Sequence, residues 1–88
     1  MRVRMHYQGR VQGVGFRATA AQVAGRHPVA GWVRNEPDGS VVLEVEGPSD
    51  EVEAFLASLA IAMAGRISTA GRATLSEQGG EQGFHIDR

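Results

Sequence analysis

The 88-residue chain contains no cysteine, no lysine and only five aromatic residues, and it has no apolar run long enough to cross a bilayer. Each absence removes a class of function. Without cysteine there are no disulfides, no zinc-thiolate sites, no thiol nucleophile and no cysteine-based metal carriage. The most hydrophobic stretch, Phe55 to Ala64, is too short and too rich in alanine to span a membrane, and the N-terminal "MRVRMHYQGR" holds no apolar segment of the kind found in secretory signals. The expectation is a soluble, cytoplasmic protein that engages no membrane. A net charge of −1 leaves no basic excess for nucleic acid. The aromatics are Tyr7, Phe16, Trp32, Phe55 and Phe84. None lies in "SVVLEVE", whereas an RNA-recognition sheet needs stacking rings on its central strands; Phe16 and Trp32 read more simply as core residues. All nine cations are arginine, whose planar fork suits phosphate and carboxylate, although an all-arginine set first reflects the coding preference of the source organism. At this length one compact core is feasible, burying about 60–65% of the surface the unfolded chain exposes, and residues 1–88 are read as a single domain.

What the chain does contain is periodic. Val3, Met5 and Tyr7 alternate with Arg2, Arg4, His6 and Gln8, the pattern of a half-buried strand. From Phe16 the apolar positions fall at Phe16, Ala20, Val23 and Ala24, a helical spacing, with Gly25 and Pro28 as stop signals. "VAGWVRN" (residues 29–35) and "SVVLEVE" (residues 40–46) predict two strands joined as a hairpin by the turn "EPDG". The next segment opens with Ser49 or Asp50 as an N-cap, and Val52, Phe55, Leu56, Leu59 and Met63 mark the buried face of a second helix. "RISTAGRATLSEQ" predicts a further strand and "FHID" a short terminal one. The order strand, helix, strand, strand, helix, strand buries one stripe per helix and one face per strand when both helices pack on one face of a largely antiparallel sheet. That is an α+β, ferredoxin-like βαββαβ sandwich with a short fifth strand.

The stretch "GRVQGVGFR" (residues 9–17) interrupts the first strand pattern with three glycines and is rich in arginine. "GVGFRA" satisfies a dinucleotide-binding pattern locally, but the following strand enters a tight hairpin instead of a doubly wound parallel sheet. No Lys-Ser or Lys-Thr follows the glycines, so a P-loop is excluded. Local chemistry then leaves two readings open. Glycines can turn successive N–H groups inward to form an anion nest at a helix start, with Arg17 placing two further donors on a phosphate-like dianion. Alternatively, the glycines only make a tight turn and Arg17 is solvated.

"GRVQGVGFR", followed by "GWVRN" and "PDGSV" in that order, resembles the acylphosphatase family from Gly9 to about Pro48. The resemblance implies a small enzyme that uses neither metal nor cofactor and hydrolyses the carboxyl-phosphate bond of acyl phosphates. By motif position it makes Arg17 the phosphate-binding and catalytic arginine and Asn35 the residue that positions the attacking water. The backbone N–H groups of Gln12, Gly13, Val14, Gly15, Phe16 and Arg17 would form the phosphate cradle. It also implies a monomer that takes a small-molecule acyl phosphate as substrate. His6, His27 and His85 lie outside both motifs and are not expected to be catalytic or metal-binding. "GVGFR" is also similar to the corresponding domain of the large hydrogenase-maturation carbamoyltransferases; because the chain starts at a methionine and ends with its last strand, a free-standing enzyme is expected. Two departures from the family pattern are Glu36, beside Asn35, and Asp87, where arginine is common.

Overall fold

The computed structural model describes residues 1–87; Arg88, the last position of the expected 1–88 domain, lies outside the described residues. The elements are β1 (Arg2–Gly9), α1 (Phe16–Ala24), β2 (Ala30–Asn35), β3 (Val41–Glu46), α2 (Ser49–Ala62), β4 (Ile67–Leu75) and β5 (Phe84–Ile86). They form one sheet in the order β4-β1-β3-β2-β5, with β5 alone running parallel to its neighbour, β2. This is the ferredoxin-like arrangement.

The topology decides where a site can lie. Both β1 and β2 pair antiparallel with β3, so they run in the same direction and end at the same edge of the sheet. One row across these three strands is Tyr7, Val41 and Asn35. At the usual strand spacing this sets the Cα atoms of Tyr7 and Asn35 about 10 Å apart. Since β5 is parallel to β2, its last residue, Ile86, also arrives at that edge.

The predicted stripes form the core. Val3, Met5, Tyr7, Val33, Val41, Leu43 and Val45 from the sheet pack against Phe16, Ala20, Val23 and Ala24 of α1, with Val52, Phe55, Leu56 and Leu59 of α2 and Met63 just beyond it. Full burial of a side chain such as Phe55 or Leu43 contributes about 1.5–3 kcal/mol. The shared face is what orients α1 so that its first turn meets the end of β1.

Four details depart from the sequence reading. Neither Ser49 nor Asp50 caps α2: Pro48 holds the N-cap position in an extended conformation, with no side-chain hydrogen bond, and its carbonyl accepts the first helical bond, from Val52 N–H at 2.9 Å. Gly25 ends α1 in a right-handed conformation, so its freedom is unused; the helix is closed by tightened bonds from Arg26 N–H to Val23 O and from His27 N–H to Ala24 O. Trp32 is not in the core. Strand parity sends Val33 inward and leaves Trp32 half-buried on the face away from the helices, with the Arg34 guanidinium 4.8 Å from its ring centre. Arg2, on the face that alternation assigns to solvent, is only 1% exposed.

Arg2 is buried because the chain supplies enough carboxylates to hold it. It contacts Glu44, Glu46 and Glu81 at 2.8, 3.1 and 2.9 Å, and Arg4 shares Glu44. Glu46 also accepts the N–H groups of Gln78 and Gly79. This network ties the segment between β4 and β5 across the end of the sheet opposite Asn35.

Candidate active site

The site begins where β1 stops. Gly13 and Gly15 have φ of +74° and +77°, whereas no non-glycine among the described residues has positive φ, so the sign alternates from Gly13 through Val14 and Gly15 to Phe16. Alternation of this kind turns successive N–H groups toward a common centre. None of the N–H groups of Gln12 to Arg17 donates a hydrogen bond to another described residue. Gly15 is the N-cap of α1 and offers no side-chain cap, so the unpaired donors of the helix start join those of the loop. Phe16 anchors this turn, buried against Tyr7 with ring centres 5.0 Å apart. Burial pushes the Tyr7 phenol up from its ordinary value, which keeps it neutral and unsuited to act as a base.

Arg17, one residue into the helix, is half-buried and makes no ion pair or side-chain hydrogen bond with any described residue. Four other arginines, by contrast, are paired: Arg2, Arg4, Arg34 and Arg72 all hold carboxylates. Arg17 shares a cavity of about 290 Å³ with Val11, Gly13, Gly15, Phe16, Ala18, Asn35 and Ile86. Arg17 and Asn35 therefore face one space although 18 positions separate them. Asn35 supplies a carboxamide, which can both donate and accept a hydrogen bond but has no proton to exchange near neutral pH. A cavity with converging N–H groups, a free guanidinium and an amide is suited to hold a tetrahedral dianion and one water beside it.

Two residues of the predicted cradle behave differently from the others. Val14 is 36% exposed and lines a separate hollow with Arg10, Ala64, Gly65 and Arg66. Gln12 does not line the cavity; its side chain crosses to the β2–β3 turn and donates to the carbonyls of Glu36 and Ser40 at 2.8 and 2.9 Å. The loop spacing carries no signal for that contact, because it depends on where the hairpin turn falls. The turn itself is held by Asp38, whose Oδ1 accepts both the hydroxyl and the N–H of Ser40; these bonds hold the Asp38 carboxyl below the usual range.

Glu36 and Asp87, two of the departures from the family pattern, meet the same partner. Arg34 contacts Glu36 at 3.1 Å and Asp87 at 3.6 Å, on the face of the sheet that carries Trp32. The Glu36 carboxylate is thus turned away from the cavity and neutralised. Among the described residues no three His, Asp or Glu side chains come together as metal ligands, and no helix is long and apolar enough to cross a membrane.

Comparison with known proteins gives the family and the fold. The acylphosphatase family profile matches residues 3–86. An acylphosphatase from Salinibacter ruber is 56% identical over 55 residues, which cover 62% of this chain and 58% of that protein. The first curated relatives are matched over about three fifths of their length, 58% and 59%. The crystal structure of acylphosphatase from Bacillus subtilis superposes with a TM-score of 0.90 at 30% identity, covering 99% of this chain and 98% of the other. The whole chain also superposes on 12% of HypF from T. kodakarensis, with a TM-score of 0.84 and 31% identity.

Proposed function

From the premise that the chain belongs to the acylphosphatase family, we propose that it hydrolyses the carboxyl-phosphate bond of acyl phosphates to carboxylate and inorganic phosphate, without a metal ion or cofactor. The observation that carries this reading is that Gly13, Gly15, Phe16 and Arg17, whose N–H groups have no partner among the described residues, line one cavity together with Asn35. In this reading the N–H groups of Gln12 to Arg17 cradle the phosphoryl oxygens, and Arg17 lays two parallel donors on them. Asn35 orients a water opposite the leaving group. The water oxygen bonds to phosphorus as the bond from phosphorus to the acyl oxygen breaks, and the electron pair of that bond leaves on the carboxylate. The water's proton passes to a phosphoryl oxygen, since Asn35 cannot accept it. Val11, Ala18 and Ile86 give the acyl part an apolar wall.

The leaving group decides what the site can do. A carboxylate departs without a strong general acid, and positioning with charge stabilisation is most of what phosphoryl transfer asks of a protein. An alkoxide leaving from a phosphomonoester would need an acid or a metal that this set of side chains does not supply. The reading includes a monomer formed by residues 1–88 as a single domain. The absence of cysteine agrees with a cytoplasmic location, and a net charge of −1 gives no basis for nucleic acid as a partner.

The test is to measure hydrolysis of a simple acyl phosphate and of a stable phosphomonoester side by side with a chelator present. The acyl phosphate is expected to be turned over and the monoester left essentially intact. Activity that vanishes with chelator and returns on adding a divalent metal would sink the metal-free mechanism.

A further inference from the structure

We propose that the Gln12 side chain is a positioning residue that fixes the distance between the phosphate cradle and Asn35; the inference rests on the acylphosphatase reading above. The two halves of the site come from different segments, the loop after β1 and the end of β2. Among the described residues, the only hydrogen bonds between residues 10–15 and residues 35–40 are the two donated by Gln12 Nε2, to Glu36 O at 2.8 Å and Ser40 O at 2.9 Å.

The same two carbonyls close the β2–β3 turn. Ser40 O accepts the Glu36 N–H at 2.9 Å, and Glu36 O accepts the Gly39 N–H at 3.1 Å. Each carbonyl therefore receives one bond from the turn and one from Gln12, filling both lone pairs. The turn is a firm anchor, with Ser40 buried and doubly bonded to Asp38. Asn35 precedes one of these carbonyl residues directly, and Gln12 directly precedes the first glycine of the cradle. One amide thus joins the group that holds the phosphate to the group that holds the water, with a single peptide unit of slack on either side. An error of an ångström between nucleophile and electrophile is enough to cost a large rate factor.

A residue that sets this distance leaves a signature different from one that only shapes the cradle. Gln12→Met keeps the length of the side chain and removes its donors. Its kcat is expected to fall by about 10- to 100-fold, while inhibition by inorganic phosphate, which reports on the cradle alone, changes by less than about threefold. Gln12→Glu supplies a donor only when protonated. Its activity divided by that of Gln12→Met should therefore rise as pH falls from about 7.5 to 5, toward the carboxyl range. The other charged groups near this side chain, Glu36 and Asp38 in the turn and Arg10, Arg17 and Arg34, are common to both variants. Thermal melting shows whether each variant is folded at the assay temperature; should the Met variant unfold, the Glu variant's activity divided by that of the wild type carries the same test.

Wild-type kcat in Gln12→Met would overturn the inference, as would equal losses of turnover and phosphate affinity, or a flat Glu-to-Met ratio across the pH range. A wild-type protein that turns over no acyl phosphate would instead remove the functional reading, and this inference with it. An active wild type with unaffected variants removes this inference alone.

Discussion

Arg17 is a half-buried guanidinium with no carboxylate partner among the described residues, placed in a cavity that it shares with the glycine loop and Asn35. Such a charge is poised for an anion, and the fork matters as much as the charge. Replacing it by lysine keeps the charge but cannot reproduce two parallel N–H bonds to a phosphate. Arg17→Lys is therefore expected to lower kcat/KM by roughly 100-fold or more, close to the loss in Arg17→Ala. A lysine variant within about threefold of wild type would mean that less than about 0.7 kcal/mol separates the two side chains, and that Arg17 acts only as a charge. At this scale the motifs singled out Arg17 and Asn35, which line one cavity, because both sit at fixed offsets within short segments. Gln12 was legible only as a backbone donor. What its side chain reaches depends on a turn more than twenty positions away, and local spacing carries no information about that. The fate of Glu36 was hidden for the same reason: whether it faces the cavity or Arg34 follows from strand parity at the hairpin.

Among the elements, the loop after β1 carries the strongest conformational demand. Gly15 sits at φ +77°, yet an added Cβ would meet nothing within 4 Å. The cost of a side chain there is conformational and not steric. For Gly15→Ala that cost is about 1–2 kcal/mol, which for a domain of this size corresponds to a melting temperature lower by roughly 5–15 °C. Asparagine tolerates the left-handed region better. Gly15→Asn should accordingly retain more of both the melting temperature and the phosphate affinity, measured by thermal denaturation and by titration calorimetry. Equal behaviour of the two variants would show that the alternation of φ does not shape the cradle. The helices and strands were legible because their apolar periods match the faces they bury, as Phe16, Ala20, Val23 and Ala24 do in α1. Their ends were less so. Pro48 rather than Ser49 or Asp50 starts α2, since backbone geometry at the entry outweighed side-chain capping preference. Trp32 looked like core by size alone, but its position between inward-facing Gly31 and Val33 sends it to the opposite face.

At the scale of the whole molecule, the end of the sheet remote from the cavity is closed by charge. Burial pushes the Glu44 carboxyl up, but hydrogen bonds from Arg4 and Arg2 outweigh it and leave the group below its ordinary value. Glu46 is lowered mainly by the N–H groups of Gln78 and Gly79, with Arg2 contributing less. A carboxyl depressed in the folded state binds its proton more readily when unfolded. The stability it contributes is fully present above the unfolded value of about 4.3 and is lost as pH falls through the lower folded value. The melting temperature should therefore hold between about pH 7 and 5 and drop steeply below about pH 4. Glu44→Gln leaves buried Arg2 with fewer countercharges, for a loss on the order of 3 kcal/mol, or roughly 10–20 °C in melting temperature at pH 7, and a shallower acid limb. An unchanged melting temperature in that variant would show that Glu46 and Glu81 suffice for Arg2.

The row Tyr7, Val41, Asn35 carries a further consequence for a chain that emerges from the ribosome N-terminus first. The groups proposed to hold the phosphate and the water, from Gln12 to Asn35, lie ahead of the strand that brings them together. A nascent chain ending at Asn35 holds the whole list of reactive parts, but β1 and β2 have no backbone pairing with each other and no reason to stop at the same edge. Only when Val41 and its neighbours slide between them does the loop come to face the amide. The catalyst is complete one strand later than its ingredients.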